Sequence, residues 1–135
     1  MFDTKIAIVV RDDLATWQKL NVTAFLTSGV LGADSALLGE NYEDADGNAY
    51  APLLIQPMIV LSATGENLKK IHERGLSRSL RMSLYIEDMF STGHDAANRE
   101  AVKQYASQDL NIVGLALRDE KKIVDKVTKG AKMHP

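Results

Sequence analysis

The chain has 135 residues, 45% hydrophobic and 25% charged, which is enough to bury one core without disulfides or a structural metal. Its 16 basic and 18 acidic residues give a net charge of −2, so a nucleic-acid partner would need a local basic patch, and the absence of cysteine excludes disulfides, thiolate metal sites and thiol nucleophiles. No apolar run approaches the ~18 residues of a membrane span, and the N-terminal segment lacks the apolar stretch of a signal peptide, so the expectation is a single cytoplasmic domain over residues 1–135.

Ile6 to Val10 is short, apolar and β-branched, the pattern of a strand covered on both faces. It ends in charge at Arg11-Asp12-Asp13. From Ala15 to Ser28 the period becomes helical. Trp17, Leu20, Ala24, Phe25 and Leu26 form a broad apolar stripe, and Gly29 is placed as the stop. A short helix or turn is expected between Val30 and Gly39. Asp44 to Asn48 has the acidic spacing of a calcium loop, but a calcium loop needs its glycine later and a glutamate beyond it, so Asp46-Gly47 reads as a tight turn.

Met58 to Ser62 is the next strand. Thr64 caps a helix from Gly65 to Arg74 that Gly75 would end, with Leu68 and Ile71 facing inward. His72 on that helix reads as a surface or packing residue. Arg81 to Ile86 is a third strand. Asp95 caps a helix reaching Tyr105, Leu110 to Leu117 is a fourth strand, and a last helix runs from Asp119 to a stop at Gly130. Regular strand–helix alternation predicts an α/β fold, a three-layer helix–sheet–helix sandwich with a mixed, partly parallel sheet.

The chemistry-bearing residues gather after two strands. Asp12 and Asp13 follow the first, and Asp88, Ser91 and Thr92 follow the third, at the strand ends where α/β proteins collect ligands. Asp88 and Thr92 are an acid and a hydroxyl four residues apart, candidates for orienting a water. Trp17, Lys19, Asn21 and Ser28 on the first helix and His94 in the following loop are candidate binding residues. His94, Asp88 and Asp95 lack the spacing of a ligand motif, so neither a metal nor a cofactor is expected. Basic residues near Lys69 to Arg81 and Lys121 to Lys132 are interleaved with acids, as on a solvated face, and no aromatic interleaving of a base-stacking surface accompanies them.

The segment Lys5 to Leu14 resembles the opening strand and loop of the archaeal and eukaryotic type of peptidyl-tRNA hydrolase, an apolar strand followed by Arg, a polar residue, Asp and Leu. Asp88-Met89-Phe90-Ser91-Thr92 is similar to that family's Asp-Ala-Gly-Arg-Thr, and Leu110 to Lys132 to its final strand and helix. Trp17 to Leu26, Asp44 to Gly47 and Tyr50 to Leu53 look more like a bacterial family of unknown function sharing that fold. The resemblance implies a four-stranded mixed sheet with helices on both faces, and often a homodimer.

The hydrolases carry a lysine, a glutamine and a histidine along the first helix. With a one-residue shift these fall on Asn21, Phe25 and Ser28; without it they fall on Leu20, Ala24 and Thr27, and neither alignment retains them. Asp88 and Thr92 match the family's acid and threonine. Lys19 lies about 200° around the helix from the expected charge. The expected function is therefore binding of a small molecule or peptide, or an unidentified reaction, in a cleft with Asp12, Asp13, Asn21, Asp88 and Thr92. The alternatives are a residual peptidyl-tRNA or related ester hydrolase using Asp88 and Thr92, with tRNA not favoured as a partner, and a non-catalytic dimeric interaction module.

Overall fold

The structure, a computed structural model, describes residues 2–135; the expected domain start at residue 1 lies outside them. Strand β1 (Thr4–Arg11) is the axis of the molecule, because every residue from Ile6 to Val10 is buried. Its side chains alternate between two cores. Ile6, Ile8 and Val10 face one, and Ala7 and Val9 face the other. The backbone pairs in parallel with β4 (Met58–Ala63) and antiparallel with β6 (Ile112–Glu120). Beyond β6 lies β5 (Met82–Ile86) and beyond β4 lies β7 (Lys132–Met133), both antiparallel to their neighbours. The order β5-β6-β1-β4-β7 makes a mixed five-stranded sheet.

The expected four strands are thus corrected to five. β7 follows Gly130, whose φ of 99° turns the chain back onto β4. With two residues it carries no periodicity of its own, and it is held by the pairing. A separate hairpin, β2 (Tyr42–Glu43) with β3 (Ala49–Tyr50), closes around the expected turn. There Asp44 accepts from the Tyr50 hydroxyl, from the side chain and backbone of Asn48 and from the backbone of Asp46, bonds that hold its carboxyl pKa down to about 2.

Helix α1 (Thr16–Ala33) lies on one face of the sheet, and α2 (Gly65–Ser77) and α4 (Lys121–Val127) pack against the other. The buried stripe of α1 is Val22, Leu26 and Val30, at spacing four. This corrects the expected stripe, since Trp17, Leu20, Ala24 and Phe25 are exposed. The helix is apolar on most sides, so its composition does not choose a face; the sheet does. Gly114 of β6 makes the seat. A Cβ there would stand 2.6 Å from Val22 Cγ1 and 3.0 Å from Leu26 Cδ1.

Gly29 does not stop α1, which continues to Ala33. It is a close-approach glycine, where an added Cβ would collide with Ser83 of β5. Gly75 likewise lies inside α2, buried against Met82. Thr64 caps α2 as expected, its Oγ1 accepting from Asn67 N at 3.1 Å. His72 is buried, a packing residue whose imidazole burial pushes below its ordinary pKa. Helix α3 (Asp95–Lys103) is capped by His94 rather than Asp95, and it packs on the tight turn Glu87–Ser91 that leaves β5.

Candidate functional site

A groove of about 840 Å³ runs between α1, β5, the turn Glu87–Ser91 and α3. It lies beside the carboxyl end of β5, where the chain turns out of the sheet. Helix α1 contributes Trp17, Asn21 and Phe25, a stripe at i, i+4 and i+8 that sets an amide between two aromatic rings. Strand β5 contributes Ser83 and Tyr85, which share a face because they are two residues apart. Phe90 comes from the turn, Thr92 from just after it, His94 from the cap of α3, and Asn98, Arg99 and Lys103 from α3 itself.

The aromatic rings are in series. Trp17 meets Phe90 edge-on at 5.8 Å between centroids, Phe90 meets Tyr85 at 5.2 Å, and Tyr85 meets Phe25 at 5.9 Å. The Trp17–Phe90 pair has the edge geometry that ring quadrupoles favour, and the other two pairs are tilted, at 49° and 47° between planes. Trp17 and Phe25 nevertheless remain 61% and 54% exposed, at the two ends of this series.

The polar groups hold the wall together. Thr92 Oγ1 donates to Met89 O at 3.0 Å and touches Asn98 Oδ1, which ties the turn to α3. His94 Nδ1 accepts from Ala97 N at 3.2 Å, so in the neutral ring the proton sits on Nε2. Arg99 pairs with Asp95 at 2.7 Å, and Lys103 stands 3.8 Å from Glu100; both pairs are exposed. Burial raises the Tyr85 phenol above its ordinary pKa, which keeps it neutral.

Four of the expected site residues line the groove together: Trp17, Asn21, Thr92 and His94. Five do not. Asp88 accepts from the Tyr105 hydroxyl at 2.6 Å, away from the groove lining, and this bond raises the Tyr105 pKa. Asp13 is taken by Arg11 Nε at 2.5 Å, while Arg11 also donates to Asn111 Oδ1 and Glu87 Oε2 at 2.9 and 3.0 Å. Asp12 is exposed beside it, bonded through its backbone N to Ala63 O. Lys19 lies off the groove, and Ser28 turns back to Phe25 O at 2.5 Å.

Of the cleft expected from Asp12, Asp13, Asn21, Asp88 and Thr92, the groove brings together Asn21 and Thr92, while Asp12, Asp13 and Asp88 lie outside its lining. Arg11 engages Asp13, Glu87 and Asn111 at the strand ends, and Tyr105 engages Asp88. Phe25, where the one-residue shift puts the hydrolase glutamine, also lines the groove; sequence reasoning did not single out Ser83, Tyr85, Phe90, Asn98, Arg99 and Lys103. The signals available were the Trp17–Asn21–Phe25 spacing and the i, i+4 pair Arg99 and Lys103. Among the described residues, no group of three or more His, Asp or Glu side chains is placed to hold a metal ion, and no helix is long and apolar enough to cross a membrane.

Fold and site together define a mixed α/β protein with an open, aromatic-walled groove between its first helix and an edge strand of its sheet. The chain belongs to the family described as protein of unknown function (DUF2000), whose model matches residues 4–135. It is similar to a protein of unknown function from Agrobacterium tumefaciens strain C58: the solved structure superposes with a TM-score of 0.98 at 56% sequence identity, covering 100% of both chains. No curated protein matches the chain.

Proposed function

We propose that the groove binds a small organic molecule with an aromatic or apolar body, and that the chain acts as a binding protein. The observation that carries this is the ring series from Trp17 to Phe25, whose two ends stay open to solvent inside a groove of ligand size. A tryptophan and a phenylalanine left this exposed on one wall give a planar ligand apolar surface to cover.

The likeness to the archaeal and eukaryotic type of peptidyl-tRNA hydrolase belongs to the same reading. Helices on both faces of the sheet are compatible with the sandwich it implies. With the one-residue shift, the positions of the hydrolase lysine and glutamine, Asn21 and Phe25, line the groove with Thr92, and that of the histidine, Ser28, does not. On this reading the groove stands where the hydrolases keep their site, with altered chemistry. Hydrolysis of an ester needs an activated water and a donor for the oxyanion. Asp88 is engaged by Tyr105 outside the groove, and Thr92 is committed to Met89 O and Asn98. This supports binding over hydrolysis.

The test is a thermal-shift screen of aromatic and aliphatic small molecules against the protein and Trp17→Ala. A ligand present at ~100 times its Kd adds about 2.7 kcal/mol of stability. Planar aromatic compounds should raise the melting temperature of the protein and not of the variant. Equal shifts in both would place binding elsewhere. Purified protein should also leave an N-blocked aminoacyl-tRNA intact; hydrolysis abolished by Asp88→Asn would reverse the choice.

A further inference from the structure

Resting on the groove as a binding site, the distribution of its polar groups says what kind of molecule fits. Tyr85 is 5% exposed, and its hydroxyl has no hydrogen-bond partner among the described residues. Yet among the described residues no fully buried side-chain oxygen or nitrogen is left without a partner. The hydroxyl therefore keeps contact with solvent, and the open side of this residue is the groove it lines. A phenol so enclosed is a donor that gains from an acceptor brought to it.

The rim on α3 has a matching bias. Arg99 and Lys103, one turn apart, both line the groove, and Asp95 is the one acidic side chain that does. The lining thus carries one more positive charge than negative in a chain whose net charge is −2. The pairs Arg99–Asp95 and Lys103–Glu100 are exposed, and exposed pairs hold their members weakly. His94 adds the free Nε2–H of its fixed tautomer. Donors and positive charge stand along one side, and aromatic faces along the other.

We propose that the ligand of this groove is an aromatic acid: a planar ring lies against Trp17 and Phe25, the acid group meets Arg99 and Lys103, and the Tyr85 hydroxyl donates to the ligand. The ring supplies the apolar contact, and the acid supplies acceptors for the donors of Arg99, Lys103, His94 and Tyr85. Charge-assisted hydrogen bonds to Arg and Lys then select the anion over its neutral analogue.

Isothermal titration of the full chain with 2-naphthoate and with 2-naphthamide tests this directly, since the two probes share a ring and differ in charge. Naphthoate should bind about tenfold more tightly. That advantage should shrink as salt rises from about 20 to about 300 mM. The double variant Arg99→Gln, Lys103→Gln should erase it while changing naphthamide binding less than about twofold. Tyr85→Phe, which keeps the ring, should weaken naphthoate at least about threefold. Melting curves of each variant check the fold. Equal binding of the two probes, or naphthoate binding unchanged in these variants, overturns the acid assignment and leaves the groove standing. Failure of both probes to bind removes the groove reading as well.

Discussion

Two glycines on α1 should respond to alanine in opposite senses. Gly32 has nothing within 4 Å of an added Cβ, so Gly32→Ala gains helix propensity alone. Near the end of the helix this is worth about 0.5–1 kcal/mol. Gly29→Ala has the same propensity gain, but its Cβ would stand 2.7 Å from Ser83 Cβ and closer still to Ser83 Oγ. The hydroxyl can rotate away; the Cβ is fixed to the strand. The helix must lift from β5, and overpacking at so short a distance costs about 2–3 kcal/mol, leaving a net loss of about 1–2 kcal/mol. Unfolding entropy for 135 residues is about 0.3 kcal/mol per degree. Circular-dichroism melts should therefore show Gly32→Ala about 2–3 °C above the parent and Gly29→Ala about 4–7 °C below it. Because Gly29 and Ser83 both line the groove, the second variant should also lose ligand response. Stabilisation of similar size in both variants would mean that α1 is not seated on β5 as described.

Other substitutions separate site from scaffold. Trp17→Ala should lower stability by no more than about 1 kcal/mol in urea denaturation, because the exposed ring forfeits little beyond its edge contact with Phe90. A loss of several kcal/mol would contradict its placement at the surface. Burial lowers the pKa of His72 below 6.5, so between the folded value and 6.5 the unfolded chain binds more protons; its contribution is full above 6.5 and is lost as pH falls through that window. The urea midpoint of His72→Gln should fall less steeply than that of the parent between about pH 7.5 and pH 5. Parallel slopes would contradict a buried neutral imidazole. Asp88→Asn should bring the raised Tyr105 pKa back toward its ordinary value in a spectrophotometric titration, and an unchanged curve would deny the Asp88–Tyr105 bond.

What the sequence revealed, and what it concealed, follows from where each residue finds its partners. β1 was legible because Ile6 to Val10 is buried on both sides and shows it in composition alone. The Thr64 cap and the Asp46-Gly47 turn were legible because their partners are local. The buried face of α1 was not, since Gly114, some ninety residues on, decides which stripe approaches the sheet. β7 was invisible for the same reason. In the site, Trp17 and Asn21 stood out on the first helix, and Thr92 and His94 in the loop after the third expected strand. Asp12, Asp13 and Asp88 looked equally promising. Arg11 closes on Asp13, Glu87 and Asn111, and Tyr105 on Asp88, pairings that span up to a hundred residues. Tyr85 read only as strand. Its enclosed place beside the groove is created by the fold.

Trp17 is the chain's one tryptophan and lies in the groove, so its emission reports on that site alone. The most direct measurement is a titration with anilinonaphthalene sulfonate, an aromatic anion, under excitation selective for tryptophan. Saturable quenching of Trp17 with transfer to one bound dye per chain, lost in Phe25→Ala, is the predicted result. Trp17 emission that stays constant while dye binds, or dye that fails to bind at all, would contradict a ligand site in this groove.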